Sequence, residues 1–252
     1  MSADFHDHFS GHADEYAAAR PTYPVELFDY LARLSPSRRC AWDCATGSGQ
    51  AAVALAGHFD KIIATDASWQ QIEHATRRDN VHYHVAPAEV SGIASDSVDL
   101  ITIAQAIHWF DFDRFHAEVR RVAVDQAIVA AWTYGLTSIT TEVDAIVQDF
   151  YTGEVNPYWP PERAHIESDY RDIPFPYDQC TPAMFRMKVE WSARALLAYL
   201  RTWSSVKRFQ ADTGRDPVSK IAPAIHRAWG KGLRPVRWPL ILKVGRVIRD
   251  CE

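Results

Sequence analysis

Residues 42–49, Trp-Asp-Cys-Ala-Thr-Gly-Ser-Gly, limit what this chain can fold into more than any other stretch. A short apolar run, Arg39-Cys40-Ala41-Trp42, leads into them, and a helix-compatible stretch from Gln50 to Phe59 follows. Strand, tight glycine turn and helix form the first half of a nucleotide-binding βαβ unit, in which Gly47 and Gly49 let the backbone approach a ligand where a Cβ would block it. Lys61 to Asp66 reads as the second strand. Its terminal acid stands where a carboxylate can accept both hydroxyls of a ribose.

Two cofactor classes compete for that unit. Gly47-Ser48-Gly49-Gln50-Ala51-Ala52 fits the loose G-x-G-x-x-G/A pattern of NAD-binding proteins. Asp43, at the carboxyl end of the first strand, argues against a dinucleotide. A carboxylate there repels a pyrophosphate by roughly 4 kcal/mol for unit charges ~4 Å apart at an effective dielectric of about 20. The same charge favours a ligand with ammonium and sulfonium groups and no phosphate, which describes S-adenosylmethionine (SAM).

Asp43-x-Ala45-x-Gly47-x-Gly49, followed by Asp66, resembles motif I and the acidic residue of class I SAM-dependent methyltransferases, with Ala45 where the family usually has its first glycine. The resemblance implies an α/β fold. Its core is a Rossmann-like, mostly parallel seven-stranded sheet with an antiparallel last strand, and a mostly helical insertion serves as a lid. It also implies SAM as cofactor, bound by Asp43, Ala45, Thr46, Gly47, Gly49, Asp66 and Ala67, with Ala88 and Glu89 against adenine and Gln105 beside the methionine end. Gln105-Ala-Ile-His108-Trp109-Phe-Asp111 resembles the His-Trp-Phe signature of a subgroup that includes trans-aconitate methyltransferases. The arm from Phe9 to Pro24 and the run Tyr199-Leu-Arg-Thr-Trp203-Ser are similar to segments of the same subgroup. By that likeness Tyr16 and Arg20 are expected at the carboxylate of SAM, and His108 near the transferring methyl.

The rest of the chain fits one domain spanning 1–252, with an arm (1–24), a SAM-binding core (25–135), a lid with helices (136–235) and a last strand (236–252). At 252 residues such a chain buries roughly 70–75 % of its unfolded surface without disulfides. A net charge of −5, with no Lys/Arg run longer than two, argues against nucleic acid and a polybasic membrane patch. Cys40, Cys44, Cys180 and Cys251 form no C-x-x-C pair or zinc spacing. His6, His8 and His12 belong to a solvated arm, so no metal is expected. With neither a signal core nor an apolar span in view, the expectation is a cytoplasmic monomer or homodimer acting on a small molecule.

Helices are expected at Val25–Leu34 with Pro24 in its first turn, at Ser68–Arg77, at Phe112–Val122, and as one long helix from Ser192 to Gln210. Strands are expected at Val81–Ala86, Val98–Ala104, Gln126–Thr133 and Leu240–Ile248. Asp99 is a lone acid in an otherwise apolar central strand. Residues 136–190, rich in proline and aromatics, read as one helix plus loops over the crevice. Trp109, Trp132, Tyr199 and Trp203 are the candidate walls of a substrate pocket.

Methyl transfer from a sulfonium needs alignment and exclusion of water. A carboxylate acceptor, ionised at pH 7, needs cations for recognition and no base. Arg20, Arg201 and Lys207 are the candidates. A hydroxyl or amine acceptor would instead use His108 as base. The leading expectation is methylation of a carboxylate oxygen of a small organic acid. The alternative is O- or N-methylation of another small metabolite. From other classes come an NAD(P)-dependent oxidoreductase and a non-catalytic SAM-binding protein.

Overall fold

The computed structural model describes residues 21–248. Helix α1 (Val25–Leu34) buries Leu27, Phe28, Leu31 and Ala32, and Pro24 takes its N-cap position. Strand β1 (Cys40–Cys44) is buried throughout and includes Asp43, ending two residues beyond the apolar run Arg39–Trp42. Helix α2 (Gln50–Leu55) stops short of Phe59, because the Ala56 amide is shared between the carbonyls of Ala52 and Val53 and tightens the last turn. Strand β2 (Lys61–Asp66), helix α3 (Trp69–Glu73) and strand β3 (Val81–Val85) follow. Ser68 caps α3, its hydroxyl accepting from the Gln71 amide, but the helix ends at Glu73, short of the expected Arg77.

Strand β4 (Val98–Ala104) and helix α4 (Phe112–Val122) have the bounds read from the sequence. Asp111 caps α4, and Arg120 and Arg121 sit in its last turn, where positive charge suits the helix dipole. The lone acid of β4 has a local function: Asp99 Oδ2 accepts from the amides of Arg39 (3.0 Å) and Cys40 (2.9 Å), stitching the start of β1 to β4. Strand β5 (Ala123–Tyr134) begins directly after α4.

The second half contains helices α5 (Thr141–Thr152) and α6 (Arg163–Glu167), strands β6 (Asp178–Gln179) and β7 (Phe185–Trp191), helices α7 (Ala193–Arg201), α8 (Ser204–Thr213) and α9 (Val218–Trp229), and strand β8 (Arg234–Arg246). Two expectations are corrected here. Residues 136–190 are not only helix and loop, because β6 and β7 both pair antiparallel with β8. The helix expected over 192–210 is broken, with Trp203 extended between α7 and α8. Its ring packs with those of Phe150, Tyr151, Trp159 and Tyr199, and that cluster overrides the local helical pattern. Strand β8 also begins earlier than expected.

The sheet order is β3-β2-β1-β4-β5-β8-β6, with β7 also on β8. Pairing is parallel from β3 to β5, and β8 runs antiparallel to β5. Alternation along β1 sends Ala41 and Trp42 into two different cores, one on each face. The order of the strands reverses at β1 and β4, so the crevice for a ligand opens at their carboxyl ends.

Candidate active site

The turn after β1 is built from left-handed residues: Ala45 (φ 54°), Gly47 (φ 55°) and Gly49 (φ 83°). Only glycine takes that conformation freely, so Ala45 carries local strain. The Thr46 amide donates to Thr65 O (2.9 Å) and the Gly49 amide to Thr46 O (3.0 Å), which fastens the loop to β2 and to itself. Asp43 lies beneath it at 1 % exposure. Its Oδ2 accepts from Thr46 Oγ1 (2.5 Å) and the Ala52 amide (3.1 Å), and its Oδ1 from Thr102 Oγ1 (2.8 Å).

Asp43 and Thr46, both expected to touch the cofactor, therefore turn inward. Asp43 is a brace joining β1, β4 and the start of α2. Burial pushes its carboxyl up to about 6, although all three hydrogen bonds pull the other way.

Asp66 stands at the end of β2 as expected. Its Oδ2 accepts from the Gly47 amide and its Oδ1 from the Ser68 amide, each at 2.9 Å. These bonds fix the plane of a group with about four lone-pair sites. Ala67 beside it is exposed. A Cβ added to Gly47 would meet only Gln71 Oε1, at 3.8 Å, so the crevice is open above that glycine. Ala88 is buried, and Glu89 Oε1 accepts from the Asp111 amide (3.0 Å), tying the loop after β3 to the start of α4.

The buried Cys44 thiol is pushed well above its ordinary value by burial and then by Asp43, Glu89 and Asp66, which leaves it unreactive and marks the crevice as acidic. A glycine cradle beside a fixed carboxylate, with negative charge around it, suits a nucleoside bearing a sulfonium and an ammonium group. It does not suit a pyrophosphate. SAM fits these residues.

Past the end of β4 lies a cavity of ≈ 100 Å³. Three of the candidate pocket walls, Trp109, Tyr199 and Trp203, line it, together with Gln105, expected at the cofactor, and His108. Trp132 does not. It is 0 % exposed and packs edge-on against Phe28 and Tyr23 beside α1, in the same core as Tyr199 and Trp203 but away from the cavity.

His108 is 6 % exposed, with Nδ1 2.8 Å from the Tyr170 hydroxyl. Burial, followed by the charges of Arg163 and His165, lowers its pKa to about 3. A general base poised near neutrality is thus not what the fold makes of this residue.

Of the expected cations, Arg201 is paired with Asp216 (2.8 Å), and neither it nor Lys207 lines the cavity. Tyr16 and Arg20 lie outside the described residues. The cavity instead contains Arg163, which sequence reading missed. Its Nε donates to the Tyr151 hydroxyl (2.9 Å) and its guanidinium lies 4.6 Å from the centre of the Trp159 ring. The only local signal was the Pro160-Pro161 pair, which starts a helix soon after Trp159.

Comparisons with known proteins agree with this geometry. Residues 42–131 match the methyltransferase-domain family. A protein of Dictyostelium discoideum named as a methyltransferase is 34% identical over 229 residues, covering 89% of this chain and 87% of its own. A solved structure from Anaeromyxobacter dehalogenans, described as a type II methyltransferase, is 45% identical, covers 92% of this chain and 99% of its own, and superposes with a TM-score of 0.86. A methyltransferase structure from Anabaena variabilis shares the fold at 14% identity and a TM-score of 0.55, over 87% of this chain and 98% of its own. With a relative this similar over most of its length, and a crevice of the required chemistry, the chain belongs to the class I methyltransferases, enzymes that take their methyl group from S-adenosylmethionine.

Proposed function

We propose that this enzyme methylates a carboxylate oxygen of a small organic acid bound in the cavity beyond β4. The observation that carries this reading is Arg163. Its guanidinium borders the cavity, stacked on Trp159 and held through Nε by Tyr151, and it makes no ion pair with a described residue. Such a planar fork, already fixed in orientation, matches a carboxylate.

SAM, when bound, supplies an electrophilic methyl. Asp66 and the backbone around Gly47 hold the nucleoside, and Gln105 and His108 lie on the side where β4 ends. Arg163 orients the acceptor's carboxylate, and Trp109, Tyr199 and Trp203 exclude water. The acceptor is ionised at pH 7, so no proton has to be removed. The runner-up, a hydroxyl or amine acceptor deprotonated by His108, is disfavoured by the burial that holds this imidazole near pKa 3.

The test is transfer from methyl-labelled SAM to a panel of small carboxylic acids, with the product identified as an ester by its lability in base. Arg163→Met should raise the Michaelis constant roughly 10- to 150-fold, the loss of about 1.5–3 kcal/mol from a charge-assisted bond. The rate should stay flat from about pH 6 to 8. Methylation confined to alcohols or amines, or an unchanged Michaelis constant in Arg163→Met, would refute the reading.

A further inference from the structure

We propose that Tyr151 is a positioning residue that works by insulation: its hydroxyl stands between Arg163 and the carboxylate of Glu167, and so keeps the guanidinium available to the acceptor. The effect on the acceptor rests on the carboxylate reading above; the insulation itself does not.

Arg163 and Glu167 are the first and last residues of α6. Residues four apart on a helix are neighbours on its surface, the spacing at which a cation and a carboxylate ordinarily pair. Here they do not. Arg163 makes no ion pair with a described residue, and both side chains turn to the same hydroxyl instead. Arg163 Nε donates to Tyr151 Oη (2.9 Å), and Tyr151 Oη donates to Glu167 Oε1 (2.5 Å). The direction of both bonds is fixed. A guanidinium only donates and a carboxylate only accepts. Burial pushes the Tyr151 pKa up, so the phenol keeps the one proton it gives away.

Tyr151 holds this place because its ring is hemmed in. It is 6 % exposed, edge-on to Trp203 (5.9 Å between ring centres) and tilted against Trp159 (5.1 Å). The guanidinium lies 5.3 Å from the centre of the Tyr151 ring and 4.6 Å from that of Trp159, so two aromatic rings support the cation while the hydroxyl engages Nε. Nη1 and Nη2 make no hydrogen bond with a described residue, which leaves the end of the fork for a ligand.

A direct pair with Glu167, which is exposed, would act against the cavity in two ways. It would turn the fork toward solvent, and it would cancel the positive charge that draws an anion. The interposed hydroxyl prevents both.

A cycle of variants of the full chain tests this, read as the Michaelis constant for a carboxylic acid that the wild type methylates. Tyr151→Phe keeps the ring and removes the hydroxyl. Arg163 should then swing to Glu167, raising the Michaelis constant about 2- to 10-fold with kcat within about twofold. Glu167→Ala alone should change it by less than about twofold, since the hydroxyl still holds Nε. In Tyr151→Phe/Glu167→Ala the competing carboxylate is gone, and most of the loss should be recovered. A tyrosine that merely packs the wall gives a double variant no better than Tyr151→Phe. That result, or an unchanged Michaelis constant in Tyr151→Phe, would overturn the proposal.

A crystal structure of Tyr151→Phe reads the geometry with no acceptor present. The guanidinium is expected in an ion pair with Glu167; a guanidinium still resting on Trp159 and unpaired would overturn the insulation. If no carboxylic acid is methylated while the variant shows the Arg163–Glu167 pair, the carboxylate reading fails and the insulation stands.

Discussion

Replacing Gly49 with alanine would test the geometry of the cofactor loop at its tightest point. Two separate penalties should appear. Holding an alanine at φ 83° costs about 1–2 kcal/mol relative to glycine. The new Cβ would also run into the Tyr83 hydroxyl and stand 3.0 Å from its Cζ. That ring cannot swing away freely, since its hydroxyl donates to Thr76 O (2.6 Å) and Arg77 lies over its face (4.9 Å). Displacing it forfeits about 0.5–1.5 kcal/mol of hydrogen bonding. The sum is about 1.5–3.5 kcal/mol.

Urea unfolding of wild type, Gly49→Ala, Tyr83→Phe and the double variant closes a thermodynamic cycle. In the Tyr83→Phe background the ring has no hydroxyl and no hydrogen bond to lose in moving aside, so the cost of Gly49→Ala should fall, a coupling of about 1 kcal/mol. A single-variant penalty below about 0.5 kcal/mol would refute the demand for a left-handed residue. Equal penalties in both backgrounds would refute a role for the Tyr83 hydroxyl in the clash.

The opposite change at the other end of the loop, Ala45→Gly, should stabilise the protein by about 1 kcal/mol by relieving its positive φ; a fall in the urea midpoint would contradict this. Asp66→Ala should weaken SAM roughly 30- to 150-fold in calorimetry through about 2–3 kcal/mol of lost charge-assisted bonding to the ribose, and equal affinities would remove Asp66 from the site. Asp43→Asn should change how stability depends on pH. Because the folded carboxyl titrates near 6, above its ordinary value of 3.8, the native state binds the extra proton between those limits, and wild-type stability falls as pH rises through them. Relative to Asp43→Asn, the wild type should therefore gain about 2 kcal/mol between pH 7 and pH 4.5; a constant difference would mean that the carboxyl is not raised.

The parts of the fold that sequence reading recovered are those governed by neighbours in the chain. Gly47, Gly49 and Asp66 belong to one turn and the strand beside it, and α4 keeps within the local run Phe112–Val122. The parts it missed depend on distant partners. Strand β7 has an alternating apolar pattern in Phe185, Met187, Val189 and Trp191, but its identity as a strand comes from register with residues 234–240. Arg163 becomes a cavity residue only because Trp159 and Tyr151, themselves packed on Trp203, hold it there. With Asp43 the sign of the charge was legible and its direction was not, since Thr46, Ala52 and Thr102 converge on it from three elements. The same holds for His108, whose position follows from the end of β4 but whose protonation is set by burial from the far half of the chain.

Strand β8 pairs with β5 on one edge and with both β6 and β7 on the other. During synthesis the segment from 141 to 230 leaves the ribosome before the strand that gives β6 and β7 their place. The cofactor half, β1 to β5, can assemble on earlier contacts, whereas the wall facing the acceptor waits for residues 234–246. A nascent chain therefore passes through a stage in which β5 has an open edge and the aromatic residues of 141–230 have no seat, the kind of species that recruits chaperones or joins its neighbours edge to edge. Substitutions in β8 that leave the finished enzyme intact should then show their effect in yield, as soluble protein per cell, rather than in turnover.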